Sequence, residues 1–369
     1  LGPEVDPLIP PIGPSTLDRE VYTDPTRFEL ERVRVLSTHW LIAGRSEQIP
    51  EPGDWLTYEG HGETVVVARQ PDGGTAAFHN VCQHRGPAIV GELSGCGARR
   101  FTCPYHGWVY DTTGDLVGVP EREGFDPSHL DGLRAPSVAV DEWAGWIWIN
   151  LAGPHRAPPL AEAIGPEITA DLGRYRMEDM TLLEVLEWDV PVSSKAVVDG
   201  FNEIYHTHQL HGVSSEWVAA AQATSFHIVG DNSMCFVPRA EHLDALADDW
   251  DHHRYAICHY LVFPNTVFNC NPGHLQVFQP IPVDVDRTRF LCWELIHPDT
   301  GDDPEYATYL ERTMAHWDVL KGVVGEDIGI YEQLARTKRS SGYTRNVHQA
   351  RECKLALYHE QMDRKISGS

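Results

Sequence analysis

Two short cysteine–histidine pairs constrain this chain more than anything else in it. "NVCQHRG" carries Cys82 and His84. "FTCPYHGW" carries Cys103 and His106, after eighteen intervening residues. Each pair follows a β-rich run and sits beside Gly or Pro, the pattern of two loop tips facing one another. Four candidate ligands in that arrangement suit either one tetrahedral zinc or a [2Fe–2S] cluster with two sulfur and two nitrogen ligands. Zinc fingers usually segregate the cysteines from the histidines. Here each loop gives one of each, which suits a cluster with a sulfur end and a nitrogen end. Cys96, between the pairs, has no histidine at ligand spacing and reads as an ordinary thiol.

The rest of the chain must fold around that site. From about 41 to 150, short runs such as "ETVVVARQ", "TAAFHNV" and "AGWIWINLA" alternate with Gly-, Pro- and Asp-rich turns, as in a small antiparallel β domain. "AGPHRAPPL" reads as a linker out of it. Before it, Asp24 caps a helix begun by Pro25, with Phe28, Val33, Leu36 and Trp40 as its apolar face. Beyond 161 the texture is mixed. A strand is expected over 181–192, a helix over 194–206, several strands within 255–296 and a long helix over 304–338. Trp317, Leu320, Val324, Ile328 and Tyr331 step along that last helix by three or four. The expected division is 1–40, 41–155 and 156–369, the first segment packing on the last.

Composition narrows the function. The chain has 369 residues, 42% hydrophobic and 22% charged, with a formal net charge of −25. It can bury a core without disulfides. Its acidity disfavours nucleic acid and anionic membranes as partners. No run of 18 apolar residues offers a membrane span. The Pro-rich start reads as a loose arm rather than a signal peptide. Eight scattered cysteines do not resemble a secreted disulfide framework, so a reducing, cytoplasmic location is expected. No GxGxxG or GxxxxGK[ST] loop is present.

A second cluster lies in "DGFNEIYHTHQLH": Glu203, His206, His208 and His211. Mononuclear non-haem iron enzymes need two imidazoles and one carboxylate on one face of the metal. On a continuous helix His206 and His211 would point about 140° apart. For those two to share a metal, the helix would have to end or bend near His206. His208 reads as structural. Glu203 would sit about 60° from His206 on a helix. In "VVGEDIGIYEQ", Glu326, Asp327 and Glu332 are acids on the last helix, and Asp327 falls at the edge of its apolar face.

Taken together, C-x-H…C-x-x-H, with its flanking "CQHRG" and "CPYHGWVYD", resembles the Rieske domain. The preceding "FELERVRVLSTHWLIAGRSEQIPEPGDW" is similar to the entry into that domain in Rieske non-haem iron oxygenases, and the resemblance extends over nearly the whole chain. It implies an α+β protein: an antiparallel β Rieske domain inserted before a helix-grip catalytic domain with a central antiparallel sheet. It implies a [2Fe–2S] cluster on Cys82, His84, Cys103 and His106, and Fe(II) on His206, His211 and Asp327. Glu326 is the alternative ligand to Asp327. Glu203 takes the place of an acid that bridges a Rieske histidine of a neighbouring subunit to the iron site. Most ring-hydroxylating members carry Asp there, and several relatives acting on quaternary ammonium compounds carry Glu.

The implied activity is that of a terminal oxygenase in aromatic hydrocarbon catabolism. It would draw electrons from a flavin reductase, with or without a ferredoxin, and use O2 to hydroxylate an organic, aromatic substrate. Oxidative demethylation or attack on a quaternary ammonium compound is the alternative. An α-only homotrimer, closed head to tail, is the expected assembly. Phe201, Phe263, Phe268 and Phe278 are the expected pocket walls, whereas a methylated ammonium would call for an aromatic cage. Two other classes stay open: a Rieske electron carrier, with no third iron, and a colourless zinc-stabilised interaction protein.

Overall fold

The computed structural model of this chain describes residues 15–212, 224–239, 250–297 and 317–368, with 308, 311 and 313–315 between the last two segments. The Pro-rich arm at 1–14 and the expected start of the long helix at 304–307 lie outside the described residues. The chain forms two compact units. One runs Leu36–Ala163. The other joins the chain up to Val35 with everything from Ile164 onward.

The Leu36–Ala163 unit is antiparallel β. Seven strands pair in the spatial order Leu41–Arg45, Trp146–Asn150, Ser137–Trp143, Thr75–His79, Glu63–Arg69, Trp55–Gly60 and Ser94–Gly95. "WIWI" at 146–149 is buried throughout, as expected of a strand covered on both faces. A separate three-stranded sheet, Arg100–Thr102, Val109–Asp111 and Leu116–Gly118, carries the second Cys/His loop. Trp55, Phe78, Phe101, Trp108 and Tyr110 form the core beneath both loops.

The other unit is built on a seven-stranded antiparallel sheet. Its order is Thr181–Val190, Arg287–Ile296, His274–Asp284, Thr266–Asn271, Ala256–Val262, Asn232–Pro238 and Ser225–Val229. The α+β arrangement is the expected one. One sheet face divides along its length. Leu261, Val267, Phe278 and Phe290 pack into an apolar core with Val197, Val198 and Phe201 of the helix Ser194–Phe201. Further along the same strands the side chains turn polar: His259, Asn269, Gln276 and Glu294.

Local expectations hold with two departures. Asp24 does cap the helix Pro25–Glu31, its Oδ1 accepting the Thr26 amide at 2.8 Å. That helix runs into a π turn at Arg32–Leu36. Across this wider turn Val33 is 49% exposed and Val35 is buried instead, while Leu36 and Trp40 are buried as expected. The helix expected over 194–206 ends at Phe201. A four-residue helix, Thr207–Leu210, follows after a break. The segment before Val35 is tied down twice. Ser15–Asp18 pairs with Arg345–His348, and buried Glu31 meets buried Lys195 of the Ser194–Phe201 helix.

Candidate metal centres

The two Cys/His loops are the same turn made twice. The Cys82 amide donates to the Pro87 carbonyl and the Gly86 amide to the Cys82 carbonyl. Likewise Cys103 bonds to Trp108, and Gly107 to Cys103. Gly86 and Gly107 stand at φ +86° and +71°, a conformation that closes such turns and favours glycine. Each cysteine is therefore sealed at the base of its turn, 2% and 1% exposed. Both histidines lie further out, His84 half-buried and His106 exposed. Their rings meet edge to face at 4.5 Å, and His84 stacks flat on Trp108.

This geometry separates the two metal readings. Four donors around one zinc would lie within roughly 4 Å of one another. Among the described residues, sets of three donor atoms within 4.8 Å of one another are His206/His211/Asp327 and Asp171/His252/His253, and the loop donors form no such set. A wider cluster with buried sulfurs and outlying imidazoles fits. His84 Nδ1 is also buried without a hydrogen-bond partner, as a ligand nitrogen would be. Burial pushes the Cys103 thiol up, so a thiolate at that depth needs a metal cation beside it. Tyr110 Oη donates to Cys82 Sγ at 3.3 Å, the kind of contact that tunes a cluster's potential.

The second site is assembled from distant segments. His206 and His211 stand at the two ends of the short helix Thr207–Leu210, and the helix ends at His211, whose backbone leaves the helical region and brings the two rings edge to face at 5.2 Å. Asp327 comes from the helix Trp317–Thr337, 6% exposed, between buried Val324 and Tyr331. Its Oδ1 lies 3.5 Å from Nε2 of each histidine. Adjacent donors around a metal with ~2.1 Å bonds at right angles lie roughly 3 Å apart, so the triad fits one ion. The helix Ser194–Phe201 meets the Asp327 helix at Gly200. A Cβ there would collide with Tyr331 Oη, which donates to the Val197 carbonyl at 3.4 Å.

The outer nitrogens are held as well. His206 Nδ1 bonds Glu203 Oε1, and His211 Nδ1 bonds Glu326 Oε2 at 2.7 Å. Each Nε2 is thereby directed at Asp327. Burial opposes a charged His206, but Glu203, and Asp327 behind it, outweigh burial and raise the ring above the usual histidine range. Burial likewise opposes a charged His211, and Asp327 with Glu326 overcomes it.

Several expectations change. Glu203 reaches His206 through a turn rather than by helical phase: its Oε2 also accepts the His206 amide at 3.3 Å. Glu326 is half-exposed and orients His211 rather than joining the triad. His208 and Glu332 are exposed, away from the triad. Of the four expected pocket walls, Phe201 and Phe278 line the cavity beside the triad, stacked on one another at 4.2 Å. Phe263 packs instead against Tyr358, and Phe268 is fully buried in the sheet. The cavity, about 160 Å³ between described residues, is lined as well by His259, Asn269, Asn271, His274 and Gln276. That volume is roughly that of a void holding one benzene. Sequence reasoning missed these five. Their signal is polar residues at every second position of otherwise apolar strands, "FNCN" and "HLQVF".

Comparison with known proteins finds two family matches. Residues 39–134 match the Rieske [2Fe-2S] domain, and residues 177–368 match the ring hydroxylating alpha subunit (catalytic domain). The carnitine monooxygenase oxygenase subunit of Acinetobacter baumannii is 26% identical over 345 residues, 89% of this chain and 86% of the relative. The chlorobenzene dioxygenase subunit alpha of a Cupriavidus species is 36% identical over 207 residues, 53% of this chain and 45% of the relative. In fold, a quaternary ammonium Rieske monooxygenase in complex with L-carnitine superposes with a TM-score of 0.77 at 20% identity, covering 95% of each chain. Naphthalene 1,2-dioxygenase with indole bound gives 0.70 at 19%, covering 95% of this chain and 92% of that one.

The chain belongs to the ring-hydroxylating alpha-subunit family of Rieske oxygenases. It is an oxidoreductase and the terminal oxygenase of its system, with a Rieske [2Fe–2S] cluster and mononuclear iron as cofactors and a separate reductase as electron source. Among the described residues no helix is long and apolar enough to cross a membrane.

Proposed function

We propose that Cys82, His84, Cys103 and His106 hold the cluster, that His206, His211 and Asp327 hold the iron, and that the chain oxygenates a small polar organic molecule in the adjoining cavity. The carrying observation is that one cavity joins this triad to five polar side chains from three neighbouring strands. Similarity to carnitine monooxygenase oxygenase subunits over 89% of this chain supports the same substrate class. The cavity has no aromatic cage among its described residues, because Phe201 and Phe278 cover each other's faces.

The bound cofactors supply single-electron delivery and dioxygen activation. The protein's own groups position and insulate. Glu203 and Glu326 hold the Nδ1 protons of His206 and His211 and so keep both Nε2 atoms free to ligate. Phe201, Val324 and Phe278 supply apolar wall that limits water beside the triad. Glu203 also serves as the bridge to a Rieske histidine of a neighbouring subunit in a homotrimer. The surface position of His106 supports that role, as does the inter-subunit electron transfer described for a quaternary ammonium relative. A cytoplasmic location is supported by eight free cysteines.

The test is oxygen uptake by the reconstituted enzyme with a surrogate reductase, screened over quaternary amines, aromatic acids and unsubstituted aromatics. Uptake stimulated by a polar compound is expected. No stimulation by any of them, or a chain holding only the cluster's irons, overturns the oxygenase reading at this site. A second reading, hydroxylation of a bare aromatic ring, is favoured by the Phe201–Phe278 pair and by the chlorobenzene dioxygenase similarity.

A further inference from the structure

One floor of the cavity is a single cross-strand row. His259 stands opposite Asn269, Asn269 opposite Gln276, and Gln276 opposite Glu294. All four side chains therefore leave the same face of the sheet. Glu294 is wholly buried at one end. The hydrogen bonds along this row have a direction. Glu294 is met by three donors: His274 Nε2 at 2.9 Å, Gln276 Nε2 at 2.9 Å and Cys292 Sγ at 3.4 Å. Gln276 turns its NH2 toward Glu294 and its Oε1 away. That oxygen accepts Asn269 Nδ2 at 2.9 Å. The Asn269 amide is fixed in turn, and Oδ1 is the atom left over.

Asn269 Oδ1 is shut off from solvent and has no partner. Its neighbour in the row, His259, receives no hydrogen bond at its ring from any described residue, although the ring lines the cavity. Burial first, then the nearby Lys354 and His206, depress the His259 ring to about 3. It is therefore neutral, with one donor and one acceptor nitrogen. Two adjacent polar groups without partners among the described residues, held by a row anchored on a buried acid, form a site built for a ligand atom.

We propose that Asn269 and His259 anchor a hydroxyl group of the substrate, which donates to Asn269 Oδ1 and accepts from the His259 ring N–H. The inference rests on the cavity being the substrate site. It narrows the substrate from polar molecules in general to those carrying a hydroxyl. A molecule lacking the hydroxyl leaves the amide oxygen buried and unpaired, which lowers binding by at least about tenfold.

Calorimetry on the holoenzyme with matched probes tests this without turnover: L-carnitine against γ-butyrobetaine, which lacks its hydroxyl, and benzyl alcohol against toluene. The hydroxyl-bearing member is expected to bind about tenfold tighter or more in at least one pair. That ratio should fall toward one in Asn269→Leu. It should fall also in Gln276→Leu, which removes the group that holds the Asn269 amide in place and covers the case in which Asn269→Leu does not fold. Equal binding within both pairs, binding by none of the four probes, or a ratio surviving in both variants overturns the anchor. Loss of oxygen uptake with the binding ratio intact would instead count against the oxygenase reading alone.

Discussion

In the Cys82–Pro87 and Cys103–Trp108 turns, every ligand is placed by backbone hydrogen bonds spanning no more than five residues. At the second site, Glu326 reaches His211 across a sequence separation of 115, and Asp327 arrives beside it on the same helix. One site is a property of its loops. The other is a property of how two helices dock. The first should therefore respond to changes in its own turns and ignore distant ones, and the second should respond to packing far from any ligand.

The largest effect should come from Asp327→Ala. It removes the carboxylate that both Nε2 atoms approach at 3.5 Å. The mononuclear iron and all substrate-dependent oxygen uptake should be lost, while the cluster's visible absorption stays unchanged. A cluster lost together with the iron would show that the two sites are not built independently.

Gly200→Ala comes next and probes the docking itself. The new methyl collides with Tyr331 Oη, and overpacking of this kind costs about 1–3 kcal/mol. The strain falls one turn from Asp327, so iron occupancy should drop along with thermal stability. Adding Tyr331→Phe removes the colliding oxygen and should restore most of both, at the expense of a long hydrogen bond to the Val197 carbonyl. Failure of the double variant to recover iron would mean that Gly200 acts otherwise than as the contact point.

This contrast also explains what could be read from the sequence. The cluster loops were legible because their ligands, glycines and hydrogen-bond partners are neighbours in the chain. His206 and His211 were legible through their spacing, and so was the need for the helix to stop. Glu326 was seen only as a rival ligand, because its partner His211 lies in another segment. The polar row His259–Asn269–Gln276–Glu294 was not seen, since each member looks like an isolated polar residue in an apolar strand. Only the register of four strands makes them a unit. The π turn at Arg32–Leu36 was hidden for a related reason: a local change of helical winding leaves no composition signal.

Acidity should separate the sites further. His206 and His211 are raised above the usual histidine range by their carboxylates. In the metal-free protein their protonated pairs add stability that is fully present below about pH 6.5, the unfolded histidine value. That stability is lost as pH rises through the raised folded values. Iron must displace those protons, so its affinity falls as pH drops through the same range. The melting-temperature gain from adding iron to the stripped protein should shrink on acidification. A gain independent of pH between about 5 and 8 would mean that the two rings do not carry protons in the metal-free state. Glu326→Gln gives a smaller version of the effect. It weakens the hold on His211 Nδ1, lowering iron affinity by about 10–100-fold, the usual range for such partners.

The smallest expected effect sharpens the comparison from the other side. Gly86 stands at φ +86°, and a Cβ there would meet nothing within 4 Å. Gly86→Ala therefore tests backbone conformation alone, at a cost of about 1–2 kcal/mol for an L-residue forced into that region. Gly107, at φ +71°, adds a contact with Pro120 Cγ at 3.3 Å, so Gly107→Ala should cost somewhat more. Both substitutions act inside the closed turns that bury Cys82 and Cys103. They should lower the melting temperature of the Leu36–Ala163 unit and speed bleaching of the cluster, without changing iron occupancy at His206, His211 and Asp327. If Gly86→Ala proved silent in both readouts, the turn would not need its glycine. The two loops would then share a hydrogen-bond pattern without sharing the conformational demand that makes them one device used twice.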